Sequence, residues 1–340
     1  ASAQNSCQAL IYRKHGHPNE VLQLETLMLP RVGDSDVRVK MLAAPVNPAD
    51  INMLQGTYAI LPPFPAVGGN EGFGEIMEVG SNVSTLSPGD WVIPVDAGFG
   101  TWRTEVVCSD KEVIQIPKNM PLPSAATIGV NPCTAYRMLQ DFEKLKPEEK
   151  KKQSGFSDRQ DPSILNSSYG LYLNTIGLVH GRPDLKELIK ELQSLGADYV
   201  ITEEALQESE MKNILKEIPK PRLALNCVGG NATGSLFNHL DYGSTLVTYG
   251  GMAKKPTPLP AKPLIFKNIK IQGFWMTQWK RNNISDLSKQ RAMVLELCKM
   301  VERGQLAAPK CTQVTFQDYR AALEATMRPY QSSKHILIMC

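Results

Sequence analysis

The 340-residue chain is short of the features that would point to several common classes. Its seven cysteines, at positions 7, 108, 133, 227, 298, 311 and 340, stand singly. With no Cys-x-x-Cys pair, neither a zinc cluster nor a redox motif is indicated, and a reducing compartment fits best. No window approaches eighteen uninterrupted apolar residues, so no membrane span is expected. The start, Ala-Ser-Ala-Gln-Asn-Ser-Cys, lacks an initiator Met and the apolar stretch of a secretory signal, in keeping with a trimmed mature chain. Lys plus Arg number 37 against 34 for Asp plus Glu. The resulting charge of +3 is too small to argue for nucleic acid as a partner.

What is present is a composition of 42% hydrophobic and 21% charged residues, ordinary for a globular enzyme of two domains or one elaborate one. Short runs bounded by Gly, Pro, Asn and Asp over 36–46, 74–79 and 91–94 predict a many-stranded β unit. Helical spacing follows over 124–139, where Pro132 is expected to bend or divide the helix. After residue 170 strands and helices alternate. Strands are expected at 175–179, 199–202, 223–228, 245–249 and 269–274, with helices at 183–195 and around Met211. That order is the mark of an α/β, doubly wound parallel sheet. A final helix at 316–327 precedes a strand at 335–339 that is expected to return to the first domain.

The most informative stretch is Gln55–Gly74, with five glycines and three prolines in twenty residues. Such a loop fixes backbone angles that other residues resist and leaves Tyr58, Asn70 and Glu71 on a rigid support. It reads as an active-site rim and not a core element. Tyr58 is the first candidate for chemistry, and a half-buried tyrosine anchoring a loop is its structural alternative.

Together with this loop, Ser87-Pro-Gly-Asp90, Gly129-Val-Asn-Pro-Cys-Thr-Ala-Tyr136, Asn226-Cys-Val-Gly-Gly230 and Tyr249-Gly-Gly-Met252 resemble the medium-chain dehydrogenase/reductase superfamily. Gly100-Thr-Trp-Arg-Thr104 and Gly273-Phe-Trp-Met-Thr-Gln-Trp279 narrow the resemblance to its mitochondrial trans-2-enoyl thioester reductases. The resemblance implies a GroES-like β domain, residues 1–130 and 304–340, and a Rossmann-type NADPH-binding domain, residues 131–303, with the active site in the cleft. It further implies a homodimer, a mitochondrial matrix location, and an enoyl thioester of acyl-carrier protein or CoA as substrate. Zinc-dependent members place Cys and His ligands near Asn47-Pro-Ala-Asp50 and Gly69-Asn-Glu71, where this chain has neither, so no metal is expected.

In such a reductase hydride passes from the nicotinamide to the β-carbon, and a proton must reach the α-carbon as charge develops on the carbonyl oxygen. A phenol, with a reference pKa of about 10, carries a proton at neutral pH, and the resemblance makes Tyr58 the donor. Asn131 resembles a residue that positions the nicotinamide, the alternative being a helix-terminal Asn capping its own backbone. Tyr249, Gly250, Gly251 and Met252 follow a strand where backbone can approach a cofactor. Phe274, Trp275 and Met276 match a cofactor-lining stretch, or else core. Lys334 resembles a cofactor contact, or else a solvated charge. Arg182, after the second expected strand, suits the extra phosphate of NADP where an acidic residue would suit NAD. Lys280 and Arg281 beside Trp279 offer charge to an acidic acyl-carrier protein or a phosphopantetheine group, or are a plain surface pair.

Residues 148–173 depart from the pattern. The family would supply there the first Rossmann strand, a glycine-rich turn and a helix, whereas this chain has five consecutive charges at Glu148–Lys152, an isolated Gly155 and Pro162. A missing middle strand would leave its neighbours unpaired and the protein less stable. Either the segment is a natural divergence or splice form, with weak NADPH binding and a role as a non-catalytic binding protein, or it is a reading-frame error in a working enzyme, the preferred explanation. A quinone or alkenal reductase on the same scaffold is the rival enzymatic reading.

Overall fold

The computed structural model describes residues 6–144, 154–157, 174–207, 209–329 and 333–339. The strands in chain order are β1 (Ser6–Tyr12), β2 (Gln23–Met28), β3 (Asp36–Pro45), β4 (Ala66–Val67), β5 (Phe73–Val79), β6 (Trp91–Pro94), β7 (Glu105–Ser109) and β8 (Val113–Ile116). They continue with β9 (Ser154–Ser157), β10 (Asn174–Val179), β11 (Tyr199–Thr202), β12 (Leu223–Asn226), β13 (Thr245–Thr248), β14 (Lys270–Gly273), β15 (Cys311–Thr315) and β16 (Lys334–Ile338). The chain divides into two compact units. One comprises Ala1–Val130, Thr277–Glu302 and Ala308–Cys340, the other Asn131–Met276 and Arg303–Ala307.

The first unit holds a three-stranded sheet, β2-β1-β4, and a larger sheet ordered β15-β16-β3-β5-β6-β8, with β7 also paired to β3. In β3, Val37, Val39 and Met41 are buried and alternate with more exposed residues, the two-residue period that turns one face of a strand inward. They join Leu10, Ile76 and Trp102 in one core. The C-terminal strand β16 runs antiparallel to β3, with Ile336 opposite Pro45, so the tail does return to the first unit as expected. Met339 N donates to Leu42 O at 3.0 Å and seals this return.

The second unit is a six-stranded parallel sheet ordered β11-β10-β9-β12-β13-β14. Counted from β9, that is the doubly wound order 3-2-1-4-5-6. Strands β10, β12 and β13 are largely apolar and buried because both faces are covered. Leu223, Leu225 and Val247 pack with Ala135, Met138 and Leu139 of the Asn131–Asp141 helix, while Ala224 and Leu246 join Met211, Leu236 and Phe237 in a separate cluster. Among the described residues no helix is long and apolar enough to cross a membrane.

The expected loss of the middle strand is overturned. Ser154–Ser157 lies between β10 and β12 and pairs in parallel with both, Gly155 opposite Thr175 on one side and Leu223 on the other. The reason is that a ladder is made by backbone N–H and C=O groups, which any residue but proline supplies in full, whereas the expectation weighed only apolar side chains. The charges at 148–152 and Pro162 lie outside the described residues, as does the place of the glycine-rich turn.

The helical pattern at 124–139 is divided into Leu122–Thr127 and Asn131–Asp141. Pro132 falls in the first turn of the second helix, where its missing N–H costs nothing. The Ser288–Glu302 helix was not anticipated, although its buried Gln290, Met293, Val294, Leu297 and Cys298 recur at helical spacing. Gln290 inverts the usual polarity of such a face: it is buried and donates Nε2–H to Val95 O at 2.7 Å.

Candidate functional site

The Gln55–Gly74 loop splits into two parts with different roles. Its first half, with Tyr58 half-buried between exposed Thr57 and Ala59, lies at the surface. It is anchored to the end of the Pro48–Leu54 helix: Gly56 N donates to Met53 O at 3.1 Å, and Thr57 N to Asn52 O at 2.9 Å. The second half corrects the rim reading, because Gly68, Gly69, Glu71, Gly72 and Phe73 are buried. Trp102 fills the space beside them, with 0% exposure and its indole N–H donated to Pro45 O at 3.2 Å. A Cβ on Gly68 would stand 2.5 Å from Trp102 Cε3, so glycine here answers to close packing.

Buried Asn47, Asp50 and Glu71 and half-buried Asn70 form a polar network at this loop. Asp50 Oδ2 accepts from Asn47 N at 2.7 Å, and Asp50 Oδ1 from Asn70 Nδ2 at 2.7 Å. Asn70 Oδ1 in turn accepts from Gly98 N at 2.7 Å. Glu71 Oε2 accepts from Asn47 Nδ2 at 2.8 Å, and its Oε1 from Val130 N at 2.8 Å. Burial pushes the Asp50 carboxyl up to about 7, against the pull of the hydrogen bonds from Asn47 and Asn70 and with help from the Glu71 charge.

This donor set does not fit a catalytic zinc, which takes three protein ligands chosen from thiolate, imidazole and carboxylate. Two of the four side chains are amides, and both carboxylates are already engaged by N–H donors. Among the described residues no group of three or more His, Cys, Asp or Glu is placed to hold a metal ion.

In the second unit the carboxyl ends of the parallel strands gather most of the cofactor candidates on one edge. Arg182 follows β10, Tyr249 to Met252 follow β13, and Phe274 to Met276 follow β14. That edge is where doubly wound sheets bind their ligands. Tyr249 and Phe274 pack on the cluster that includes Ala135 and Met138, one and two turns along the helix from Asn131, its first residue. Gly250 passes so near β12 that a Cβ would stand 2.5 Å from Cys227 Sγ, whereas Gly251 faces open space. Met276 is buried and Met252 exposed.

At the end of β12, buried Asn226 organises the neighbouring turn. Its Oδ1 accepts from Gly229 N at 3.0 Å and from Thr233 Oγ1 at 2.9 Å, while its Nδ2 donates to Thr248 Oγ1 at 3.0 Å. Gly229 and Gly230 follow with φ of 80° and 72°, left-handed angles that suit glycine. The Arg182 side chain is only 4% exposed and forks onto Asp184, with Nη2 2.8 Å from Oδ2. Charge-assisted bonding to Arg182 holds the Asp184 carboxyl below the usual range.

Tyr58 and Lys334 belong to the first unit. Lys334 opens β16, and its Nζ is buried with no hydrogen-bond partner among the described residues. Lys280 departs from the surface reading: it is buried and donates to Gly129 O at 3.0 Å. Arg281 is paired with Asp96 at 3.0 Å. A Lys-Arg doublet in sequence carries no sign of which member turns inward, and only packing separates them.

Residues 33–118 match the Alcohol dehydrogenase GroES-like domain family, and residues 175–291 the Zinc-binding dehydrogenase family. The human mitochondrial enoyl-[acyl-carrier-protein] reductase is 54% identical over 332 residues, 98% of this chain and 88% of the relative. The mitochondrial 2-enoyl thioester reductase Etr1p/Etr2p heterodimer from Candida tropicalis has a TM-score of 0.89 at 31% identity, covering 98% of this chain and 100% of that one. The Etr1p/NADP/crotonyl-CoA complex gives the same TM-score, identity and coverage. A full-length likeness of this strength, on a GroES-like unit and a doubly wound sheet, makes the chain a member of the mitochondrial enoyl-[acyl-carrier-protein] reductase family within the medium-chain dehydrogenases/reductases.

Proposed function

We propose that this chain reduces trans-2-enoyl thioesters of acyl-carrier protein or CoA to saturated acyl thioesters with NADPH, in mitochondrial fatty acid synthesis. The observation that carries the reading is the 54% identity to the human reductase along 98% of the chain. NADPH, when bound, supplies the hydride that adds to the β-carbon. Residues 1–130 and 304–340 are the catalytic domain, and residues 131–303 the NADPH-binding domain.

The residues present suit this cofactor. Lys334 Nζ, buried and without a hydrogen-bond partner among the described residues, leaves its N–H donors for an acceptor on the cofactor. Gly250, Gly251 and their neighbours Tyr249 and Met252 offer backbone at a sheet edge, and Phe274, Trp275 and Met276 a largely apolar wall for the nicotinamide. Arg182 receives the 2′-phosphate by exchanging part of its bonding with Asp184. Asn131 orients the nicotinamide amide. The Tyr58 hydroxyl holds the proton destined for the α-carbon, on a loop anchored by Gly56 and Thr57 to the preceding helix.

The protein acts as a homodimer in the mitochondrial matrix. Support for self-association comes from β14, which among the described residues pairs on one side only, and from exposed Ile265 and Phe266 on the helix preceding it. The deciding experiment follows NADPH consumption by the purified chain with crotonyl-CoA and, separately, with a simple quinone. Preference for the thioester is expected. Preference for the quinone would favour the rival reductase, and failure to bind NADPH at millimolar concentration would favour the non-catalytic binding protein.

A further inference from the structure

Gly129 C=O and Val130 N–H are the two ends of a single peptide group, and each end meets a buried charge. Lys280 Nζ donates to the oxygen at 3.0 Å, and the N–H donates to Glu71 Oε1 at 2.8 Å. Lys280 is 7% exposed and Glu71 3%. Taking either ion out of water costs several kcal/mol unless it is compensated. Here each charge faces the complementary end of the peptide dipole, so the two compensate through it and the group is gripped from both sides.

The next residue is Asn131, where the Asn131–Asp141 helix begins. The second oxygen of Glu71 accepts from Asn47, whose backbone N–H is bonded in turn to Asp50 at the start of the Pro48–Leu54 helix. Tyr58 follows that helix. One carboxylate therefore binds both the segment leading to the candidate proton donor and the peptide leading to the candidate nicotinamide ligand.

We propose that Glu71 and Lys280 are positioning residues, which clamp the Gly129–Val130 peptide and thereby hold Asn131 in one orientation toward the nicotinamide. This rests on the reading of the chain as an NADPH-dependent reductase. Neither side chain is assigned a contact with the reacting atoms. Without the ammonium, Gly129 O and the Glu71 charge are both left buried with less compensation, and the peptide rotates to relieve them.

The test compares the full-length chain with Lys280→Met, Glu71→Gln and Lys280→Arg. Amide exchange at Val130 is measured without cofactor, NADPH affinity by fluorescence titration, and turnover with crotonyl-CoA using protiated and 4-deuterated NADPH. Lys280→Met and Glu71→Gln are expected to speed Val130 exchange at least about tenfold and to weaken NADPH binding. The kcat should fall about 10- to 100-fold, as for misplacement of reactants by a fraction of an ångström to an ångström. The deuterium isotope effect should grow, KM for crotonyl-CoA should stay within about twofold, and Lys280→Arg should restore most of the loss. The clamp is overturned if Lys280→Met leaves Val130 exchange and kcat within about twofold of the parent, or if protection falls uniformly across the sheet and Arg rescues nothing. A parent that binds NADPH yet leaves crotonyl-CoA intact removes only the reductase reading, and Val130 exchange with NADPH affinity then decides the clamp.

Discussion

The two units hold their candidate residues by opposite means. In the first, Asp50, Asn70, Asn47 and Glu71 form a chain of side-chain hydrogen bonds, buried at its centre, that reaches from Gly98 to Val130. In the second, the candidate residues stand where parallel strands end, and backbone bonds such as Tyr249 N to Asn226 O, together with the Asn226 side chain, tie those ends together. A polar network in a low-dielectric interior is exacting, because each member left unpaired is costly. A strand edge is tolerant, since the backbone ladder places it whatever the side chains are. Even Ser154–Ser157, which no apolar pattern marks as a strand, takes its place in the ladder. The buried side chains of the first unit, polar and aromatic alike, are thus where substitution should register most sharply.

Substitutions can break this contrast. The largest effect is expected from Trp102→Ala, which empties the space behind Gly68 and should cost about 3–5 kcal/mol in denaturant unfolding. Substitution of Phe274, on the strand edge, should cost clearly less. Next comes the pH dependence of Asp50. Its folded carboxyl, raised to about 7 from the ordinary 3.8, binds a proton that the unfolded chain releases. Stability from this group is therefore fully present below about pH 4 and lost as pH rises through about 7, on the order of 4 kcal/mol in all. Unfolding free energies measured across that range should carry this downward slope, and Asp50→Asn should flatten it. An unchanged slope in the variant would mean that other groups produce it.

Smaller effects sharpen the functional side of the comparison. Tyr58→Phe should lower kcat about 100-fold, the lower range for a lost proton donor, with NADPH affinity unchanged because only a hydroxyl is removed. Equal turnover would take the phenol out of the mechanism. Arg182→Ala should weaken NADPH about tenfold, the loss of one charge-assisted contact, and leave NADH unaffected. Parallel titrations with the two nucleotides check this, and equal losses for both would place Arg182 away from the 2′-phosphate.

Much of the fold was legible because its periods are plain. The strand expected at 199–202 coincides with Tyr199–Thr202, and β10, β12, β13 and β14 lie within one or two residues of their expected bounds at each end. The Pro132 break was expected because proline acts locally through its own ring and missing N–H. The Ser288–Glu302 helix lies beyond the elements expected from the sequence, although its buried residues recur at helical spacing, and the polar one among them, Gln290, is buried through a hydrogen bond to Val95. Within the candidate site, Tyr58, Asn70 and Glu71 stood out from the glycine-rich loop, yet nothing in the order of residues placed Lys280 against Gly129, 151 positions away.

The chain alone therefore determined the α/β alternation, the proline and glycine breakpoints and the family motifs, since each is written in residues near one another. Tertiary structure decided which charges are buried, that Ser154–Ser157 completes the parallel sheet, and that Glu71 and Lys280 meet at one peptide. These depend on groups distant in sequence entering a low-dielectric interior together, where the cost of leaving any of them unpaired selects the partner.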